Sequence, residues 1–161
     1  MPHLPYPKLA LKGLNKIIPK DLNPENKERL TSNFEASITY SRQIGNIYTG
    51  SLYLGLLSLL EQSQNLKTGD KIGFFSYGSG AVSEIFSGRL VEGYKDMLRS
   101  DRLDIFAQRH NLSVADYEQL FYEEAQLDDT GSTQFNTYQT GPFRLTEISE
   151  HQRIYKGNQN D

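Results

Sequence analysis

Gly45-Asn46-Ile47-Tyr48-Thr49-Gly50-Ser51 runs straight into Leu52-Tyr53-Leu54-Gly55-Leu56-Leu57-Ser58-Leu59-Leu60. The second part reads as a helix with apolar residues on nearly every face, the pattern of a helix buried on all sides. The first part is small and polar, and it opens that helix. A helix start carries unpaired N–H groups and the positive end of the dipole. Small residues there let a ligand or another backbone come close. The stretch therefore predicts a polar tip on a buried rod, placed at the floor of a pocket.

Upstream, Pro5 to Ile18 reads as a helix with proline in its first turn. Lys8 and Lys12 are four apart and share a face. Leu14, Ile17 and Ile18 extend the apolar side, and Pro19 ends the helix. Asn23-Pro24-Glu25 is a second helix start: a capping side chain, proline in first position, an acid in the first turn. Leu30, Phe34 and Ile38 then recur at spacing four, to about Gln43.

Downstream of the rod, Lys71-Ile72-Gly73-Phe74-Phe75-Ser76-Tyr77 is a short apolar run between turn residues and predicts an interior strand. Gly78-Ser79-Gly80 is a turn. Ala81 to Val91 is a second strand, with Val82, Ile85 and Phe86 expected to point inward. The pair forms a β-hairpin. Gly93 to Asn111 predicts one or two short helical pieces. Ser113 opens a capped helix with Tyr117, Leu120 and Phe121 on one face. Leu127 to Thr140 reads as a polar surface loop. Phe143 to Ile148 is a last strand continuing toward Tyr155, and residues 157–161 are expected to fray.

The 161 residues are enough for one domain with a real core, and they mix helices with hairpin-linked strands. Net charge is −3 with both signs interspersed, so no basic stripe points to nucleic acid. The longest apolar run is too short to span a bilayer. No signal peptide is visible, and a soluble cytoplasmic protein is expected. The chain has no cysteine. Disulfides, thiolate metal sites and cysteine nucleophiles are therefore excluded within it.

Five residues stand out. His3 lies between Pro2 and Pro5; from physics alone it reads as a solvated, idle side chain near a terminus. Lys8 and Lys12 form either a solvated face or a pair of cations a turn apart, matched to a diphosphate or 3′-phosphate. Asn46 either caps the rod or presents its amide to a substrate carbonyl. Ser79 belongs either to a simple turn or to a backbone nest for an oxyanion. No lysine follows at P-loop spacing, and no G-x-S-x-G elbow is present. His110 and His151 lack partners at metal-ligand spacing and read as surface residues. No metal site is expected.

Three motifs, in this order, carry a resemblance: His3-Leu4-Pro5-Tyr6-Pro7-Lys8 with Lys12; Gly45 to Tyr53; and Phe75-Ser76-Tyr77-Gly78-Ser79-Gly80. Together they resemble the C-terminal half of 3-hydroxy-3-methylglutaryl-CoA synthase, the bacterial form most of all, over nearly the whole chain and least after about Leu127. The resemblance implies an α/β fold: one half of a thiolase-like layered structure, with a buried central helix and a hairpin sheet. It implies an acyltransferase that condenses acetyl-CoA with acetoacetyl-CoA to 3-hydroxy-3-methylglutaryl-CoA, in the mevalonate route to isoprenoids, with no covalently bound cofactor. In that family a cysteine is acetylated, a glutamate moves protons and a histidine polarises the acetoacetyl group. His3 matches the catalytic histidine. Lys8 and Lys12 match lysines that contact coenzyme A. Asn46 and Ser79 match residues that hydrogen-bond the acyl group.

The departures are as informative. The family's cysteine and glutamate belong to an N-terminal half that these 161 residues do not contain. The chain is expected to be a fragment, residues 1–161 forming a C-terminal domain, inactive alone. An exposed packing face is expected to drive homodimerisation. Two other readings stand beside this one: a non-catalytic half that binds a separately encoded partner, and a fragment of another thiolase-like condensing enzyme such as a ketoacyl synthase.

Overall fold

The computed structural model describes residues 7–78, 80, 82–135 and 143–157. The chain divides into two compact units, Met1–Ser100 and Asp101–Asp161.

In the first unit α1 (Pro7–Ile17), α2 (Pro24–Ile44) and α3 (Gly50–Gln62) precede a hairpin of β1 (Lys71–Gly78) and β2 (Val82–Arg89), followed by a 3₁₀ turn at Tyr94–Met97. α2 begins where expected. The Asn23 side-chain oxygen accepts the Asn26 N–H at 2.8 Å, and Pro24 and Glu25 fill the first turn. It stops at Gly45, whose φ of +83° suits glycine and whose N–H donates to the Ser41 carbonyl. Phe34 and Ile38 of α2 pack with Ala10 of α1 in a small apolar cluster that Leu14 borders.

α2 and α3 pack together, and half of their buried positions are small: Ser37 and Ser41 on α2, Ser51, Gly55 and Ser58 on α3. Ser58 locks the pair. Its hydroxyl donates to the Ala36 carbonyl at 2.6 Å and accepts the Tyr40 N–H at 3.2 Å. Those two backbone groups are partners in a regular helical ladder, so the hydroxyl is keyed to a single turn of α2. One turn on, the buried Tyr40 hydroxyl donates to the Glu61 carboxylate and accepts from Gln62 Nε2. Glu61 also accepts the Arg99 N–H at 3.0 Å. The adjacent flank of α3 supplies Leu52 and Leu59 to the main core, with Leu66, Ile72, Phe74 and Leu90.

The rod is less enclosed than expected. Ser51, Leu52, Gly55, Ser58 and Leu59 are buried, Leu54, Leu56, Leu57 and Leu60 are half-buried, and Tyr53 is exposed. α2 and the residues of the main core cluster cover part of its circumference.

The hairpin is antiparallel and unshifted from Lys71↔Arg89 to Gly78↔Val82. Ile72 and Phe74 enter the core, and Phe86 stacks on Phe74 with ring centroids 4.7 Å apart. Two expectations change here. Among the described residues β1 pairs only with β2, so within them it is not flanked by strands on both sides as an interior strand would be. Val82, Ile85 and Phe86 do not point inward together: β2 is exposed throughout, and Ile85 is 80% exposed. Spacings of three and one cannot share a face in a strand, where sides alternate. Ile85 lies on the outer face opposite Phe75, and Val82 sits at the far end of the inner one.

The second unit holds α4 (Arg102–Ala107), α5 (Val114–Tyr122) and an antiparallel sheet β3-β4-β5 (Thr133–Gln134, Phe143–Ser149, Gln152–Gly157). Ser113 caps α5: its oxygen accepts the Asp116 N–H and its hydroxyl donates to the Asp116 carboxylate. Tyr117 and Phe121 do share a face, stacked at 5.7 Å, but they are exposed. The last strand is in fact two. Glu150 and His151 both take positive φ, 48° and 64°, the geometry of a type I′ turn, without the Asn-Gly pair that usually announces one. β5 includes Gly157; residues 158–161 of the expected tail lie outside the described residues.

The start of the expected surface loop is ordered by Asp128. One carboxylate oxygen accepts the Thr130 hydroxyl at 2.6 Å and the N–H groups of Thr130 and Ser132 at 2.9 Å. The loop docks on the β4–β5 turn: Glu150 N–H donates to Ser132 Oγ, and His151 N–H donates to the Gly131 carbonyl. Gly131 has φ +75°, and a Cβ there would overlap the His151 ring.

Two serines of the α2–α3 seam should respond with opposite signs. Ser41 Oγ is buried with no partner among the described residues, a cost of about 1–3 kcal/mol. Ser41→Ala should therefore hold or raise the urea midpoint, whereas Ser58→Ala should lower stability by about 1 kcal/mol. Equal effects in urea titrations would contradict this reading. In the second unit the Thr130 hydroxyl bond, then the Ser132 and Thr130 N–H bonds, hold the Asp128 carboxyl below its usual 3.8. A carboxylate lowered on folding stabilises above its unfolded pKa, and that contribution is lost as pH falls through the folded one. Thr130→Val should move the Asp128 midpoint upward in an NMR titration, so that the contribution shrinks and its loss is complete at a higher pH.

Candidate functional site

Three of the five singled-out residues, Lys8, Lys12 and Asn46, are described; His3 and Ser79 lie outside the described residues. On α1, Lys8 and Lys12 are exposed, while Ala10 is buried in the α1–α2 cluster on the other side of the helix. At 1.5 Å rise per residue their Cα atoms stand about 6 Å apart along the axis. Lys16 continues the stripe by another turn and is exposed too. Among the described residues no carboxylate pairs with these three ammonium groups. They leave three mobile donors on one face, available to an anion.

Asn46 sits in the loop between α2 and α3, which is bounded by the positive-φ Gly45 and by Gly50. Its side chain does not cap α3 in the ordinary way; Thr49 occupies the cap position and makes no side-chain cap bond. Instead the side-chain carbonyl of Asn46 accepts the Tyr48 N–H at 2.9 Å and the Ser51 hydroxyl at 3.1 Å. Ser51 Oγ in turn accepts the Ile47 N–H at 3.0 Å. The helix start closes through Gly50 N–H to the Ile47 carbonyl and Ser51 N–H to the Tyr48 carbonyl. The loop is tight at its second end, where a Cβ on Gly50 would stand 3.0 Å from Ile47 Cδ1. Tyr48 pays for the geometry with φ +52° while its ring is 79% exposed.

The remaining Asn46 group, Nδ2, donates to none of the described residues, and the side chain is exposed. An amide with its oxygen anchored and its NH₂ outward offers a donor to a carbonyl or developing oxyanion. No hydrogen bond or ion pair joins Asn46 to Lys8 or Lys12, so the structure presents a cationic helix face and a fixed amide as two separate features of the first unit. The reading from residues alone omits Lys16 and Ser51. The period-four spacing of Lys8, Lys12 and Lys16 marks the first. Nothing in the pattern marks the second, which looks like any small residue at a helix start.

His110 and His151 are exposed, and the second packs on Gly131. Among the described residues no group of three metal-ligating side chains forms, and no helix is long and apolar enough to cross a membrane.

Residues 8–157 match the family model described as hydroxymethylglutaryl-coenzyme A synthase C terminal. A hydroxymethylglutaryl-CoA synthase of Enterococcus faecalis is 48% identical over 127 residues, covering 78% of this chain and 33% of the relative. Among solved structures, an HMG-CoA synthase complexed with CoA superposes with a TM-score of 0.84 at 65% identity, covering 97% of this chain and 40% of that one. A Streptococcus mutans UA159 protein, smu.943c, gives 0.81 at 62% identity, with 97% and 42% covered. The chain thus spans about a third of the length of the curated relatives it matches. The mixed helix-and-sheet architecture is that of the C-terminal part of a thiolase-like synthase.

Proposed function

Because the chain belongs to the family of hydroxymethylglutaryl-coenzyme A synthase C-terminal domains, we propose that it supplies the coenzyme A and acyl-binding side of a condensing acyltransferase. The substrates are acetyl-CoA, acetoacetyl-CoA and the water that hydrolyses the enzyme thioester, the products are 3-hydroxy-3-methylglutaryl-CoA and free coenzyme A, and no covalent cofactor takes part. The observation that carries the reading is the family match across residues 8–157, which takes in both the lysine stripe and the Asn46 loop.

The roles follow from the chemistry each group offers. Lys8 and Lys12 hold phosphates of coenzyme A as flexible point charges. Asn46 Nδ2 donates to the acyl oxygen that gains negative charge as the new carbon–carbon bond forms. His3 polarises the acetoacetyl carbonyl, and Ser79 hydrogen-bonds the acyl group. The nucleophile is another matter. The chain has no cysteine, so the thiolate that is acetylated, with release of the first coenzyme A, comes from a half outside these 161 residues. The glutamate that takes a proton from the acetyl methyl comes from there also. The chain by itself therefore binds and does not turn over. We place it in the cytoplasm, where CoA thioesters are made and used.

Isothermal titration should show coenzyme A binding that weakens about tenfold in Lys8→Ala and in Lys12→Ala, the loss of one charge-assisted contact each. With both thioesters present, free thiol release should stay at the buffer rate. Unchanged affinity in both variants would remove the phosphate roles, and family-like turnover would remove the need for a second half.

The hairpin leaves Phe75, Tyr77, Val82 and Ile85 exposed, and apolar surface of this kind drives association. We propose a homodimer of the isolated chain. Sedimentation equilibrium should give a mass that rises toward twice the monomer with concentration; a constant monomer mass would rule it out.

A further inference from the structure

The hydrogen-bond directions around Asn46 can be settled without ambiguity. A backbone N–H only donates, so the atom that Tyr48 N–H contacts at 2.9 Å is the Asn46 oxygen, not its nitrogen. Ile47 N–H likewise only donates, and it donates to Ser51 Oγ at 3.0 Å. That leaves the Ser51 proton free to point at Asn46 Oδ1, 3.1 Å away. One chain results, from Ile47 N–H through the Ser51 hydroxyl to the Asn46 carbonyl, which Tyr48 N–H meets from a second direction. Ser51 is fully buried at 0% exposure, whereas Asn46 is exposed. The hydroxyl is therefore a fixed post on α3 and the amide is the moving part it holds.

We propose that Ser51 is the positioning residue of the acyl site: its hydroxyl fixes the Asn46 amide so that only Nδ2 faces a bound thioester, making Asn46 an obligate donor. This deepens the functional reading above and rests on it for the identity of the ligand. Ser51 itself touches no substrate. Without its hydroxyl the Asn46 oxygen keeps one anchor, the amide can turn over, and either end can face the ligand. An oxygen facing a carbonyl repels it.

The test uses the full chain labelled with ¹⁵N and two probes, coenzyme A and acetoacetyl-CoA. Without ligand, the order parameter of the Asn46 side-chain NH₂ should be high in the parent and fall in Ser51→Ala, with the rest of the spectrum unchanged. If Ala disrupts the loop, Ser51→Cys, which fills a similar volume with a weak donor, carries the same expectation. With ligand, acetoacetyl-CoA should bind about tenfold tighter than coenzyme A, the worth of one good hydrogen bond. That preference should shrink to within about twofold in Ser51→Ala. Asn46→Asp keeps an oxygen for Tyr48 and Ser51 but has no donor to offer. It should retain the loop's amide shifts and lose the preference, and taking the ratio of the two probes cancels the effect of the added charge on the phosphates. An unchanged order parameter in the Ser51 variants overturns the positioning role whatever binds. A preserved preference in Asn46→Asp overturns the donor role. Failure of the parent to bind either probe would instead strike the functional reading, and the ligand-free arm would still decide the role of Ser51.

Discussion

A single hydroxyl lies deepest in the logic of the first unit. Ser58 reaches across from α3 and bonds both members of one backbone pair on α2, the Ala36 carbonyl and the Tyr40 N–H. Only a short side chain makes that reach without forcing the helices apart, and the neighbouring buried positions Ser51 and Gly55 are small as well. The contact fixes how α3 lies along α2. Because the Asn46 loop is the connection between those helices, it also fixes where that loop begins and ends. The core side chains Leu52 and Leu59 then meet β1 from a helix already in place.

The site is built on the same economy. α3 begins with Ser51, which serves the helix by its backbone and the loop by its side chain. The loop pairs the Ile47 and Tyr48 N–H groups and the Asn46 oxygen internally, with Tyr48 at positive φ, and leaves the Asn46 amide donor over. An enzyme site gains from donors that need no rearrangement when charge develops. The lysine stripe on α1 is the opposite kind of element. Its ammonium groups sit on flexible stems, suited to phosphates whose recognition needs charge more than angle.

Helices were easily read in the residues, because caps and apolar spacing act locally: Asn23-Pro24-Glu25 and Ser113 each mark their start to within a residue. The hairpin was legible for the same reason, through glycines flanked by apolar runs. What could not be read depended on partners. α3 has the composition of an enclosed helix, yet the described residues cover only part of it, since composition does not say which surfaces a helix meets. Val82, Ile85 and Phe86 carry a helical spacing, which the alternating sides of a strand cannot gather on one face. The β4–β5 turn was missed because Glu150 and His151 carry none of the usual turn chemistry, and the left-handed geometry there is held by the docked Asp128 loop. Of the candidate site, the residue types came from the motifs, and the role of Ser51 came only with coordinates. His3 and Ser79 lie outside the described residues, so their roles rest on the motifs alone.

β2 carries a further consequence. Among the described residues it pairs with β1 alone, so its other side is a row of free peptide groups, a template on which a foreign strand can grow. Proteins guard such margins with charge, and here Glu84 and Arg89 act as gatekeepers within an otherwise apolar and small-residue strand. The stretch from Ile85 to Gly88 between them is unguarded. A strand laid along it would therefore act as a chaperone to this margin, shielding it from mispairing.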